Sequence, residues 1–270
     1  MPEPDRFASF TRARHSLREY APAASRLAVA FSGGVDSAVL LHLAIEELGG
    51  ENVVALHARS ALGPGGRHRR MCERMLADFS RLCAVRLVDF APLAISGFAA
   101  NPPERCYLCK KALYTEFLRL ARQDGASTLA DGANADDAVD ERPGWRAIQE
   151  LAVVTPLRQA AIGKTVIRQY ARLHGLANHD LPAQSCLATR FAPGLAIDEA
   201  ALALAARLES RLGDGLLTDF RLRLTIEGCG LEVRGAQAEN PASIDEAAIR
   251  RCFHEHGLAL AWLSLAGERI

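Results

Sequence analysis

The chain lacks any excess of charge: 32 Lys and Arg balance 32 Asp and Glu over 270 residues. No global field draws it to nucleic acid or to an anionic membrane, although a local basic site is left open. Long apolar runs are missing as well. Stretches such as residues 27–31 and 258–265 fall well short of the roughly 18 residues that a membrane-crossing helix needs. The segment MPEPDRFASFTRARHS has no apolar core of an export signal, so the expected location is the cytoplasm. Nor do the seven cysteines make the even set of a disulfide framework, which suits a reducing compartment and leaves each thiol to be explained singly. With 49% hydrophobic and 24% charged residues, the composition excludes disorder as the main theme and allows one large or two modest domains.

What is present alternates between strand and helix. A polar helical pattern over residues 5–20 leads to five apolar residues, 27–31, of the buried-strand type. Then come a Gly-Gly turn and Val39, Leu40, Leu43 and Leu48 at helical spacing, stopped by Gly49 and Gly50. Residues 53–57 are the next expected strand, so 27–57 form a strand, helix, strand unit whose strands must run parallel. Helix and strand recur over residues 67–83 and 85–89, then over 106–123 and 128–131, with another helix at 163–174. This predicts an α/β class with a doubly wound parallel sheet. After a polar loop at 176–190 the character shifts. A helix at 198–212, an alternating strand at 220–226, residues 231–233, a helix near 244–256 and a strand at 259–265 predict a smaller C-terminal α+β domain. The expected domains are 1–190 and 191–270.

A buried strand that runs straight into Ser32, Gly33, Gly34, Val35, Asp36 and Ser37 and then into a helix is a phosphate cradle. Glycines let backbone N–H groups approach an oxyanion, and the helix N-terminus adds unpaired donors. A carboxylate here, Asp36, would repel phosphate unless Mg²⁺ lies between them, so the expected ligand is a metal-bound nucleotide. The pattern G-x-x-x-x-G-K-[ST], with its γ-phosphate machinery, is missing. The hexapeptide resembles the pyrophosphate loop (PP-loop) of the ATP pyrophosphatase superfamily, which is similar to NAD synthetases, GMP synthetases and tRNA-thiolating enzymes. That resemblance implies an adenine nucleotide alpha hydrolase-like fold, cleavage of ATP between its α and β phosphates, and adenylation of a substrate oxygen.

Three further segments carry chemistry. In Asn101-Pro-Pro-Glu-Arg-Cys-Tyr-Leu-Cys-Lys-Lys111, Cys106 and Cys109 share one face at a helix start, where the dipole favours thiolate. The second C-x-x-C that would complete a zinc site is missing. Cys186 lies in the polar loop Gln184-Ser-Cys-Leu-Ala-Thr-Arg190, and three thiolates are one short of the usual four of an iron–sulfur cluster. Cys72, Cys83, Cys229 and Cys252 lie on amphipathic helices or near a strand and are expected in the core. Asn134 and Asp136 follow a strand end, where ligands gather in open α/β sheets. Arg221 and Arg223 alternate on one strand face and suit a phosphate.

These segments, with Arg142-Pro-Gly144, occur in an order that resembles the ATP-dependent sacrificial sulfur transferases of nickel-pincer nucleotide cofactor biosynthesis, over most of residues 26–235. The resemblance implies that ATP adenylates a carboxylate of a pyridinium biscarboxylate mononucleotide, which then becomes a thiocarboxylate. The implied sulfur is that of Cys186 itself, leaving dehydroalanine, or a sulfide on a [4Fe-4S] cluster held by Cys106, Cys109 and Cys186. The presence of all three cysteines favours the cluster. Further implications are Lys110 and Arg190 as cations favouring thiolate, Arg221, Arg223 and Glu209 at the substrate phosphate, Asp36 toward Mg²⁺ through ATP, and a homohexamer. This chain departs from relatives at His179-Asp-Leu-Pro182, where Trp-Asp-Lys-Pro is usual, at Phe191-Ala-Pro-Gly194, at Leu224, where a His often stands, and over residues 58–66. Two rivals share the superfamily. A tRNA-thiolating enzyme would need a basic RNA surface, which the neutral total opposes. An ammonia-dependent amide ligase similar to NAD synthetase would leave the three cysteines idle. A non-catalytic nucleotide-binding module would bind ATP without releasing pyrophosphate.

Overall fold

The computed structural model describes residues 8–22, 25–63, 65–137, 143–265 and 268–269. Its contacts group into two units, Met1–Arg59, Met71–Phe90 and Cys106–Ala183 in the first, Ser60–Arg70, Ala91–Arg105 and Gln184–Ile270 in the second. The first is built on four parallel strands, β1 (Arg26–Ala30), β2 (Val53–Arg59), β3 (Ala84–Asp89) and β4 (Ala126–Ala130), in the order β3, β2, β1, β4. β1 and β2 are apolar on successive residues because both of their faces are covered. Leu27 and Val29 of β1 join Val53 and Ala55 of β2 in one core, lined by α1 (Ala8–Tyr20), α2 (Val35–Leu48) and α3 (Gly66–Phe79). Ala28, Ala30, Val54 and Leu56 face the opposite core, lined by α4 (Arg105–Gln123) and α5 (Pro143–Glu150). The chain then returns to the first core as α6 (Pro156–Gln159) and α7 (Lys164–Leu173). Strand alternation thus assigns helices to both faces, as the doubly wound pattern requires.

Strand order positions the site. α2 joins β1 to β2 and α3 joins β2 to β3, after which the chain comes back to the other side of β1 as β4. The order therefore reverses between β1 and β4. In open α/β sheets the crevice beyond the carboxyl ends at such a reversal is where ligands bind, and the loops that leave β1 and β4 there are residues 31–34 and 131–137.

The second unit has its own core. Strands β5 (Phe220–Thr225), β6 (Gly228–Val233), β7 (Leu260–Leu265) and β8 (Glu268–Arg269) follow in that order, with β6 and β7 parallel and the outer pairs antiparallel. They pack with α8 (Glu199–Gly213) and α10 (Glu246–Glu255), while α9 (Gly235–Glu239) is a single short turn between β6 and α10. Both long helices start on an aspartate: Asp198 accepts from the Ala201 N–H at 2.7 Å and Asp245 from that of Ala248 at 2.8 Å. Such caps satisfy an otherwise orphaned donor. Cys83, Cys229 and Cys252 are buried as expected. Ile226 is a correction. Strict alternation over 220–226 puts it on one face with Phe220, Leu222 and Leu224, but Thr225 pairs with Gly228, so Ile226 falls in the two-residue hairpin turn and is 92% exposed.

Candidate active site

The loop after β1 is tied by its own serines. The Ser32 N–H donates to Ser37 Oγ at 3.1 Å, Ser37 Oγ donates to the Gly34 carbonyl at 3.0 Å, and the Gly34 N–H reaches Ser32 Oγ at 3.3 Å. Gly33 adopts φ +82°, a left-handed conformation that favours glycine, and a β-carbon there would lie 2.5 Å from Cys72 Sγ. Cys72 is therefore packed on the loop rather than deep in the core. Burial pushes its thiol up to about 11, so it stays protonated near neutrality. Gly34 is the N-cap of α2 and no side chain caps the helix. The first-turn N–H groups keep their capacity for an anion.

Asp36 stands in that first turn. Its carboxylate pairs with Lys164 Nζ, while its Oδ1 is buried with no hydrogen-bond partner. Burial raises the Asp36 pKa, and the Lys164 bond offsets this only in part. A carboxylate in this condition gains from a second cation, so the residues present fit a magnesium-bound nucleotide. Lys164 is the first residue of α7. It is placed by the loop after β4, where Asn134 Oδ1 accepts from the Asp136 N–H at 2.9 Å and Asp136 Oδ2 accepts from the Lys164 N–H at 2.6 Å. Asn134 and Asp136 are thus spent on holding the loop and the start of α7. Gly132 lets this loop approach closely, since a β-carbon on it would meet the Ser37 nitrogen at 2.8 Å.

Cys106 and Cys109, the second and fifth residues of α4, are both half-buried. Lys110, beside them, directs its ammonium to Asp131 Oδ2 at 3.4 Å, and the buried Tyr114 hydroxyl bonds the same oxygen. The start of α5 backs that of α4: a β-carbon at Gly144 would stand 3.6 Å from the Cys106 carbonyl. Arg142 lies outside the described residues.

In the second unit, Cys186 is half-buried and heads a short 3₁₀ turn, Leu187–Arg190. Its carbonyl accepts from the Thr189 N–H at 3.0 Å and hydroxyl at 2.8 Å. The Arg190 side chain has no exposure. It donates to Glu209 Oε1 at 2.5 Å, Glu209 Oε2 at 3.1 Å, and the Ser185 and Thr189 hydroxyls at 2.9 Å. Asn101, buried, donates to the Ala192 and Leu195 carbonyls at 2.7 and 3.0 Å. Arg223 is held by Glu232 at 2.8 Å and reaches the Thr189 carbonyl at 3.3 Å. Arg221, on the same strand face, has a buried Nε without a partner, and burial and the charges of Arg234, Arg190 and Arg223 lower its pKa. Glu232, opposite it on β6, offsets this only in part.

No protein-family model matches the chain. An uncharacterized protein of Synechocystis is 36% identical over 180 residues, 66% of this chain and 65% of that protein, just under two thirds of its length. The argininosuccinate synthase of Natronomonas pharaonis is 27% identical over 160 residues, 56% of this chain and 40% of that enzyme. Across both units, 247 residues are 31% identical to the pyridinium-3,5-bisthiocarboxylic acid mononucleotide synthase of Lactiplantibacillus plantarum, covering 90% of this chain and 87% of that protein. The chain belongs to the pyridinium-3,5-bisthiocarboxylic acid mononucleotide synthase family. Its first unit has a PP-loop-like α/β fold.

In this family member the first unit brings together Ser32, Gly33, Gly34, Asp36, Ser37, Asn134 and Asp136, while the second brings together Cys186, Arg190, Glu209, Arg221 and Arg223. Lys164 and Asn178 are members of the first group that the sequence did not announce. The buried Asn178 amide donates to the Gly33 carbonyl at 3.0 Å. A lysine at a helix start after Gly163 is the one local signal for Lys164. No helix among the described residues is long and apolar enough to cross a membrane.

Proposed function

We propose that this chain is an ATP-dependent sulfurtransferase that converts a carboxylate of a pyridinium biscarboxylate mononucleotide to a thiocarboxylate. The observation that carries this is the uncapped start of α2 with Asp36 Oδ1 buried and unpaired beside it, in a chain of this family. A carboxylate is a poor acyl donor because its leaving group is oxide. Its oxygen attacks the α-phosphorus of ATP, the bond to the β-phosphate oxygen breaks, and magnesium pyrophosphate departs into the cradle of Ser32 to Ser37. A sulfur nucleophile then attacks the acyl carbon and AMP leaves. Arg221 and Arg223 bind the substrate phosphate. Arg190 and Glu209 act as positioning residues that hold the turn bearing Cys186, and Lys110, beside Cys106 and Cys109, pairs with Asp131.

Two sulfur sources fit the residues. In one, Cys186 forms a thioester, loss of its α-proton breaks the Cβ–S bond, and the product leaves with the sulfur while dehydroalanine remains. In the other, the ligand set that the family resemblance implies, Cys106, Cys109 and Cys186, would hold a [4Fe-4S] cluster, three thiolates against the usual four. When bound, such a cluster supplies exchangeable sulfide. We place the second unit as a substrate and oligomerisation domain of a cytoplasmic homohexamer.

The test is incubation with MgATP and the carboxylated mononucleotide, followed by intact-mass spectrometry and iron analysis after anaerobic reconstitution. Release of AMP and pyrophosphate that depends on the mononucleotide is expected. With it comes stoichiometric iron or the loss of the elements of H₂S from Cys186. Unchanged turnover in a Cys186→Ala variant would assign the chain to amide ligation instead.

A further inference from the structure

α2 and α7 meet at their beginnings through Asp36 and Lys164. Ten residues further along each chain, about 15 Å of helical rise, the same two elements meet again through Glu46 and His174. His42 and Glu46 are one turn apart on α2, and His174 is the C-cap of α7. Each offers one ligand atom, and these atoms lie within 4.8 Å of one another. Glu46 Oε1 is 3.9 Å from His174 Nδ1, Glu46 Oε2 is 3.6 Å from His42 Nδ1, and the two imidazole centroids are 5.0 Å apart. Around a tetrahedral zinc ion with bonds of about 2.0–2.1 Å, ligand atoms stand roughly 3.4 Å from one another. Small side-chain shifts bring the three to that spacing.

We propose that His42, Glu46 and His174 form a site for a divalent zinc-class metal, with three protein ligands and a fourth position open to water. Two imidazoles and a carboxylate are donors that zinc accepts, and an open fourth position is common where three protein ligands bind it. An outer shell is already in place. The Tyr170 hydroxyl donates to Glu46 Oε2 at 2.9 Å and lies 3.0 Å from His42 Nδ1, and its ring stacks on His174 with centroids 4.0 Å apart. Arg14 bonds the same Oε2 and also Glu47. Both neighbours hold Oε2, which presents Oε1 to His174. Partners of this kind orient metal ligands. The metal clamps the far ends of the two helices whose near ends hold Asp36 and Lys164, and so stiffens the pair on which the phosphate loop rests.

The experiment is equilibrium dialysis of the full chain against buffered Zn²⁺, with metal analysis and X-ray absorption, on the parent and on Glu46→Gln and His174→Ala variants. Expected is one zinc per chain on nitrogen and oxygen ligands, a higher melting midpoint with zinc, and affinity lowered more than about tenfold in each variant. Zinc bound on sulfur alone, equal affinity in parent and both variants, or no stoichiometric zinc would overturn the proposal. Should a variant not fold, Co²⁺ spectra of the parent decide: weak visible bands without an intense thiolate band support the site, and a thiolate band alone removes it.

Discussion

Asp36 combines a cost and a task in one carboxylate. Burial raises its pKa, so the folded chain binds that proton more tightly than the unfolded chain does. The contribution to stability is therefore larger below the raised value and is lost as pH rises through it. An Asp36→Asn variant is expected to melt no lower than the parent at neutral pH, and the difference between the two should shrink on acidification through the carboxylate range. The same variant should lose the stabilisation that MgATP gives the parent, about 2.7 kcal/mol when ligand is a hundredfold above Kd. Thermal scans with and without MgATP check both, and a retained MgATP shift would show that Asp36 is not at the nucleotide. Gly132→Ala probes the neighbouring loop. Its methyl would press on the Ser37 backbone, which cannot yield as a side-chain tip does, so a loss of about 1–3 kcal/mol is expected in urea unfolding. The hexapeptide at 32–37 was legible because its chemistry is contiguous. Lys164 was not, since its contact with Asp36 spans 128 positions.

At the scale of elements, the turn bearing Cys186 hangs on one buried ion pair. Glu209 of α8 holds Arg190 with both oxygens, and Arg190 in turn holds Ser185 and Thr189. Removing one partner of such a pair leaves an uncompensated buried charge, whereas replacing both by apolar residues need not destabilise. Glu209→Ala is expected to cost about 3–5 kcal/mol in urea unfolding, and an Arg190→Met, Glu209→Leu double variant much less. Equal losses in the single and double variants would mean that packing, not charge, holds the turn. From the sequence, Arg190 is expected as a cation at the Cys186 thiol and Glu209 at the substrate phosphate, because spacing along α8 and β5 says nothing about which charge reaches which. Long elements were readable from period alone: continuous apolar residues for β1, helical spacing for α2 and α4, alternation for β5. α5, of eight residues, and α6, of four, are too short for a period to declare them.

For the whole molecule, the grouping of chain into units follows bonds that no linear pattern displays. Residues 91–105 join the C-terminal unit because Asn101 and Arg105 bond the carbonyls of Ala192, Leu195 and Ala188, so the division falls between Arg105 and Cys106. Each unit then holds its own anion-seeking group, the uncapped start of α2 in the first and Arg221 in the second. Ligands of the two groups should leave separate footprints in amide hydrogen exchange, since protection follows the segments a ligand stabilises. MgATP is expected to protect residues 31–37, 131–137 and the start of α7. Inorganic phosphate, as a probe of the second group, should protect β5 and β6, and Arg221→Ala should erase that footprint while leaving the first intact. Arginine recognises phosphate by charge-assisted paired bonds, so Arg221→Lys should restore little of it. If phosphate protection stays on β5 and β6 in the alanine variant, Arg223 alone carries the anion and the orphaned Arg221 nitrogen has another use.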